Sequence, residues 1–200
     1  MTITMEKPAL QRSSGQRIAA LVRSAQAGEQ RGWDALVREF GGMVWAVARA
    51  HRLHDDDAGD VAQTTWLRLF EHLDRLKEPA RVGAWLATTA RRECLRIMRQ
   101  GGRRRPFDDD ASQQHSPGSL PHEELLLAER DRILWCSFSR LRASDQALLR
   151  LLTAEPRPTY EEISVALDMP VGSIGPTRAR ALERLRHALD SDDALSLLRD

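Results

Sequence analysis

The thirty-one residues TYEEISVALDMPVGSIGPTRARALERLRHAL, Thr159 to Leu189, restrict the fold more than any other stretch, because two helical periodicities stand either side of a stop. Thr159 is a good N-cap, and Tyr160, Ile163, Ala166 and Leu167 recur at helical spacing, which predicts a short helix with one buried side. Asp168-Met169-Pro170 ends it. Beyond the turn, Ile174, Ala181, Leu182, Leu185 and Leu189 make an apolar stripe, while Ser173, Thr177, Arg180, Arg184 and His187 fall on the other side. A short helix, a tight turn and a longer helix with an outward polar-basic face form a helix-turn-helix, whose second helix can enter a major groove. An ordinary solvated helix pair shows the same periodicity, so the pattern alone leaves both readings open. Gly175-Pro176 predicts either a kink or a regular helix that starts only at Pro176. A continuous helix from Val171 would aim Arg178 at the apolar stripe, so a break near Gly175 or a snorkelling side chain is expected.

The remaining segments repeat the helical period and none shows strand alternation, so the chain reads as all-α. Residues 1–16 have no sustained period and read as a mobile tail. Ile18, Leu21, Val22 and Ala25 predict a helix that Gly28 stops, and Leu36, Val37, Phe40, Val44, Val47 and Ala48 predict a second one, from Trp33 to about His51. From Ala58 to Leu76, the buried stripe is expected at Ala62, Trp66, Leu69, Phe70, Leu73 and Leu76. Asp60, Gln63, Thr64, Leu67, Glu71 and Asp74 stand opposite, as solvated surface or as a docking face around Leu67.

From Val82 to about Gln100, Val82, Leu86, Ala90, Cys94 and Ile97 face inward. Trp85, Thr88, Thr89, Arg92, Arg96 and Arg99 share another face, whose ring, hydroxyls and guanidinium groups suit unpaired bases and phosphates; Trp85 fits a core position equally well. The net charge of +1 says little, but twenty-eight of the thirty basic residues are Arg, and seven of them fall between Arg91 and Arg105. Arginine suits bidentate phosphate and base contacts, although a compositional bias against lysine gives the same count.

Gly101 to Leu120 is rich in Gly, Pro, Ser and charge and reads as a flexible linker. Fully extended, roughly twenty residues span about 66 Å, nearly two turns of B-DNA at roughly 34 Å each. Helices from Pro121 to about Leu141, with Leu125, Leu126, Ala128, Ile133 and Phe138 apolar, and from an N-cap at Ser144 to Leu152 would brace the helix-turn-helix. The expected organisation is therefore two helical domains, 17–100 and 121–190, joined by the linker 101–120, with a short tail at 191–200.

The run Asp57 to Gln100 resembles the promoter-melting domain of bacterial RNA polymerase sigma factors of the extracytoplasmic-function type. The resemblance rests on D-V-x-Q at Asp60 to Gln63, a leucine four residues on, the Trp85-Leu86 pair and the Arg-rich helix after it, with the YEEI and PVGSI segments in family order. It implies that Asp60, Gln63, Thr64, Leu67 and Glu71 dock on the polymerase clamp helices. It further implies that Trp85, Thr88, Thr89, Arg92, Arg96 and Arg99 read and open the promoter −10 element. The −35 element would fall to Ser173, Thr177, Arg178, Arg180 and Arg184. Gly175-Pro176 and Arg178 depart from the family pattern. The implied partners are core RNA polymerase, promoter DNA and an anti-sigma factor; no cofactor is implied.

A helix-turn-helix regulator acting without polymerase is the alternative. His51 and His54, three residues apart beside Asp55 to Asp57, give weak grounds for a metal-dependent hydrolase, because a helix end followed by a helix start favours the same residues. Phosphate-loop, nucleophile-elbow and zinc-protease motifs are absent, so no enzyme is expected. Cys94 and Cys136 stand alone and read as idle thiols. The sequence shows no signal peptide and no membrane-spanning run, so a cytoplasmic protein is expected.

Overall fold

A computed structural model describes the backbone of residues 7–100 and 122–191, with side chains over 14–100 and 131–190. The linker expected at 101–120 lies outside the described residues. Every regular element described is helical. The first part contains α1 (Lys7–Gln26), α2 (Gln30–Ala50), α3 (Asp55–His72) and α4 (Val82–Gln100), with single 3-10 turns at Leu73–Arg75 and Pro79–Arg81. The second contains α5 (His122–Ser139), α6 (Ala143–Thr153), α7 (Tyr160–Leu167) and α8 (Val171–Ser191).

Helix α1 begins ten residues before the expected Arg17, so Lys7 to Gln16 are helical rather than tail. Contact with the Pro79–Arg81 turn, where Gly15 comes close to Ala80, supplies support that the segment's own periodicity lacks. Gly28 at φ 77 ends the helix, as its sequence position predicts. Leu36, Phe40, Met43, Val44 and Val47 of α2 are buried, but Val37 is exposed, one step around the helix from Leu36. Helix α3 starts with Asp55, Asp56 and Asp57, which favour the positive end of its dipole, and Arg49 pairs with Asp55 across the connection. Cys94 is buried in α4, which pushes its thiol up to about 12 and leaves it unreactive.

In the second part, Arg142 rather than Ser144 occupies the N-cap of α6, and Ser144 lies inside the first turn. Helix α7 is closed by a capping box: the Glu162 amide donates to Thr159 Oγ1 at 3.2 Å, and the Thr159 amide donates to Glu162 Oε2 at 2.7 Å. Tyr160, expected on the buried side, is exposed. Its apolar partners Ile163 and Ala166 are buried.

The two parts close on one another around a shared core. Leu148, Leu151, Leu152, Ile163, Ala166 and Ile174 join the same buried cluster as Phe40, Val44, Leu86 and Ala87. Helix α7 packs on α4, and α6 packs on α2. Polar contacts rim this junction: Arg150 donates to the Arg49 carbonyl at 3.2 Å, and Arg91 pairs with Asp168 at 2.8 Å.

Candidate functional site

The outer face of α3 comes first in chain order. Ala58, Val61, Thr65 and Leu69 are its buried positions, at spacings of three and four. Thr65 tolerates burial because its hydroxyl donates to the Val61 carbonyl at 2.7 Å. Opposite them Asp60, Gln63, Leu67 and Glu71 are exposed and Thr64 is half-buried, so these five residues share one accessible side. Phe70, placed in the core by sequence reasoning, is instead 68% exposed, with Leu67 at 56% one turn before it. The Phe70 ring lies 5.7 Å from that of Trp33 on α2, which extends the apolar surface across both helices. A hydroxyl residue in the buried stripe concealed this register; a stripe drawn through Thr65 would have turned Phe70 outward.

The next face belongs to α4. Arg92, Arg96 and Arg99 are exposed, and Trp85 is half-buried against the core, 6.3 Å from the His72 ring. Thr88 is half-buried and donates to the Ala84 carbonyl at 2.8 Å. Thr89 is buried, which removes it from the surface with which it was grouped; it lies 100° around the helix from Thr88, on the side toward the core. Glu93 is also buried, and Arg68 and Arg96 reach its two oxygens at 2.7 and 2.6 Å. Arg96 therefore serves the α3–α4 packing as well as the positive surface. An acidic residue among seven arginines is the one whose burial demands partners.

On the helix-turn-helix, α8 runs unbroken from Val171 through Pro176, so of the two expectations, a break near Gly175 or an Arg178 side chain that snorkels, the break does not occur. Arg178 and Arg180 are exposed, while Ser173 and Thr177 are half-buried. The Arg180 guanidinium donates to Thr177 Oγ1 at 3.2 Å, and Ser173 Oγ donates to the Pro170 carbonyl at 2.7 Å. Arg178 reaches solvent although Ile174 and Ala181, either side of it along the helix, are fully buried. Arg184 is engaged elsewhere: its Nη1 donates to Asp145 Oδ2 at 2.7 Å, tying α8 to α6. Leu182 is exposed, so the stripe loses it and keeps Ile174 and Ala181, which are buried, with Leu185 and Leu189 half-buried.

His51, the first residue of the metal reading, is turned to another purpose. Its Nε2 lies 3.3 Å from the Ala166 carbonyl, across the junction between the two parts. Burial lowers its pKa, and the nearby Arg91 charge acts in the same direction. Among the described residues, no group of three or more His, Cys, Asp or Glu is placed to hold a metal ion. No helix among them is long and apolar enough to cross a membrane.

Residues 36–104, which contain both the α3 and the α4 faces, match the family model for sigma-70 region 2. Over 181 residues, 86% of this chain and 91% of the relative, the sequence is 26% identical to the ECF RNA polymerase sigma-E factor of Escherichia coli. The corresponding protein of Haemophilus influenzae is 22% identical over 179 residues, 85% of this chain and 94% of its own length. Residues 36–104 thus match sigma-70 region 2, and over most of its length the chain is similar to extracytoplasmic-function sigma factors. The fold is similar to that of CnrH in complex with the cytosolic domain of CnrY, at a TM-score of 0.57 and 22% identity over 88% of this chain and 98% of that one. It is also similar to the sigma factor RpoE in complex with the anti-sigma factor NepR from Bartonella quintana, at a TM-score of 0.53 and 20% identity over 80% and 98% of the two chains.

Proposed function

We propose that this sigma factor docks on core RNA polymerase through the outer face of α3, directs it to particular promoters and promotes strand opening, without catalysing a reaction itself. The observation that carries the reading is the exposure of Leu67 and Phe70 beside Asp60, Gln63 and Glu71, an apolar centre with a polar rim on a helix whose opposite side is already packed. Arg92, Arg96 and Arg99 with Trp85 and Thr88 supply the −10 surface, where capture of an unstacked base offsets the few kcal/mol of unstacking. Arg178, Arg180, Ser173 and Thr177 supply the −35 surface. Residues 17–100 and 121–190 divide these tasks between two helical domains.

The protein works in the cytoplasm, where its polymerase and promoters are. An anti-sigma factor is a further partner, since each of the two structural neighbours was solved with a bound protein, one of them an anti-sigma factor. The test is co-elution with core polymerase, followed by open-complex formation on a promoter from the protein's own genome. Association with promoter opening supports the reading. Duplex binding by the protein alone, without association, makes it a conventional regulator.

A further inference from the structure

Glu93 is the one acid between Arg91 and Arg105, and its side chain is only 3% exposed. A carboxylate so far out of water needs charged partners. It has two, from different helices. Arg68 Nη2 on α3 reaches Oε1 at 2.7 Å, and Arg96 Nε, one turn further along α4, donates to Oε2 at 2.6 Å. Arg96 Nη1 also donates to Gln100 Oε1 at 2.8 Å, so its guanidinium is held at two points. Both arginines stay accessible, at 44% and 46%, and Arg68 Nη1 and Arg96 Nη2 have no acceptor among the described residues. Two guanidinium groups on the two oxygens of one carboxylate stand side by side, where without the acid they would repel. Two positive charges against one negative leave the trio cationic. Its remaining donors suit a phosphate, which guanidinium groups grip through paired N–H bonds.

The place of the trio decides which phosphate. The His72 ring of α3 lies 6.3 Å from that of Trp85 near the start of α4, while Arg68, one turn earlier on α3, meets Glu93 and Arg96 further along α4. The two helices therefore run antiparallel, and Arg68 stands beside the face that carries Trp85, Arg92 and Arg96. Trp85 and Arg96 are about 16 Å apart along a helix that rises 1.5 Å per residue. A strand whose unstacked base rests on Trp85 meets the arginine pair a few nucleotides on.

We propose that Glu93 is a positioning residue for strand capture: it holds Arg68 and Arg96 as one clamp on a backbone phosphate of the opened −10 strand, which gives α3 a promoter contact of its own. The proposal rests on the polymerase reading above. Sequence periodicity grouped the strand-holding residues on α4 alone, because nothing local ties Arg68 to an acid 25 residues away. The clamp sets the register of the strand without reading its bases, as phosphate contacts do. Its two side chains are already ordered on Glu93, so less rotamer freedom is lost when the strand arrives.

The test uses holoenzyme assembled from core polymerase and the full chain, a single-stranded oligonucleotide carrying the −10 region of a promoter that this holoenzyme opens, and a titration of salt. Glu93→Gln keeps the size of the side chain and removes its charge. Arg68→Gln keeps an N–H donor for Glu93 and removes the exposed charge. Both proteins should retain the parent's helical circular dichroism. Glu93→Gln makes the surface more positive, so an acid that only neutralised its neighbours would tighten strand binding when lost. The expected result is the reverse, a several-fold weaker complex, and equal or tighter binding would overturn the positioning role. Arg68→Gln should flatten the slope of log affinity against log salt by about 0.7, the share of one single-strand phosphate contact. That slope decides even if Glu93→Gln does not fold. An unchanged slope takes Arg68 off the strand, and a loss of core affinity in Arg68→Gln moves it to the polymerase interface; either result overturns the clamp. A parent chain that does not associate with core polymerase defeats the polymerase reading itself, and the clamp with it, before any variant is compared.

Discussion

Arg184 on α8 and Asp145 on α6 form an ion pair across 39 residues of sequence, with Nη1 and Oδ2 2.7 Å apart and the carboxylate only 3% exposed. Asp145 sits in the first turn of α6, where the helix dipole favours its charge, but burial makes the guanidinium partner necessary. The pair ties α8 to α6, and it gives Arg184 a structural task beside the DNA contact expected from its helical face.

Arg184→Ala should therefore lower stability by about 1–3 kcal/mol, the cost of stranding a buried polar group, and weaken binding to all promoters alike. Arg180→Ala, at an exposed position, should change stability by less than about 0.5 kcal/mol and reduce use of the −35 element selectively. Chemical denaturation and transcription from promoters with and without a −35 element separate the two. Equal stability in both variants would make Asp145 indifferent to its partner.

The α3 surface makes a different demand. Leu67→Arg and Phe70→Ala remove exposed apolar groups, so both proteins should melt as the parent does, within about 0.5 kcal/mol. Affinity for core polymerase should fall at least about tenfold, roughly 1.4 kcal/mol, if the two residues form the centre of the interface. Retained affinity in well-folded variants would move the docking site off α3.

Local signals in the sequence carried the helices and their ends. Thr159 with Glu162 three residues on, Gly28 after the first helix and three aspartates at the start of α3 each act on neighbouring backbone groups, so each was legible without tertiary context. What was not legible depends on distant partners. Thr65 entered the buried stripe by satisfying its own hydroxyl, which rotated Phe70 outward; Arg184 found Asp145 39 residues away; Lys7 to Gln16 became helical against the Pro79–Arg81 turn. Gly42, pressed against the Glu155 backbone, could not be told from its neighbour Gly41, which has room, because a glycine in a helix does not record whether anything comes close.

His51 should make the closed arrangement sensitive to acid. Burial, aided by Arg91 and opposed by the Ala166 carbonyl, holds its pKa below the ordinary 6.5. The opened or unfolded chain then binds a proton that the closed one does not, so the His51 contribution is fully present above about pH 6.5 and is lost as pH falls toward the lowered value. Glu162, raised by burial, acts in the opposite sense: its contribution is present at low pH and lost as pH rises through its raised value. Comparing denaturation of the parent and His51→Gln between about pH 7.5 and about pH 5.5 isolates the histidine. The parent should lose more stability than the variant on acidification, and identical slopes would exclude His51.

Pro176 poses the remaining question, because α8 stays helical through a residue that has no amide to offer the Gly172 carbonyl. Nothing lies within 4 Å of a Cβ added at Gly172 or Gly175, so the turn is open on that side. The missing hydrogen bond is local, and the buried Ile174 within this turn and Ala181 beyond it hold the helix in place. Pro176→Ala restores one helical hydrogen bond and relieves the ring's clash with the preceding turn, so it should raise stability by about 1–3 kcal/mol in urea denaturation. By changing the backbone at the end of α8 that carries Ser173 and Thr177, it should also change the preferred −35 sequence in a binding selection. A variant that gains stability yet keeps the parent's sequence preference would show that the proline does not shape what the helix reads.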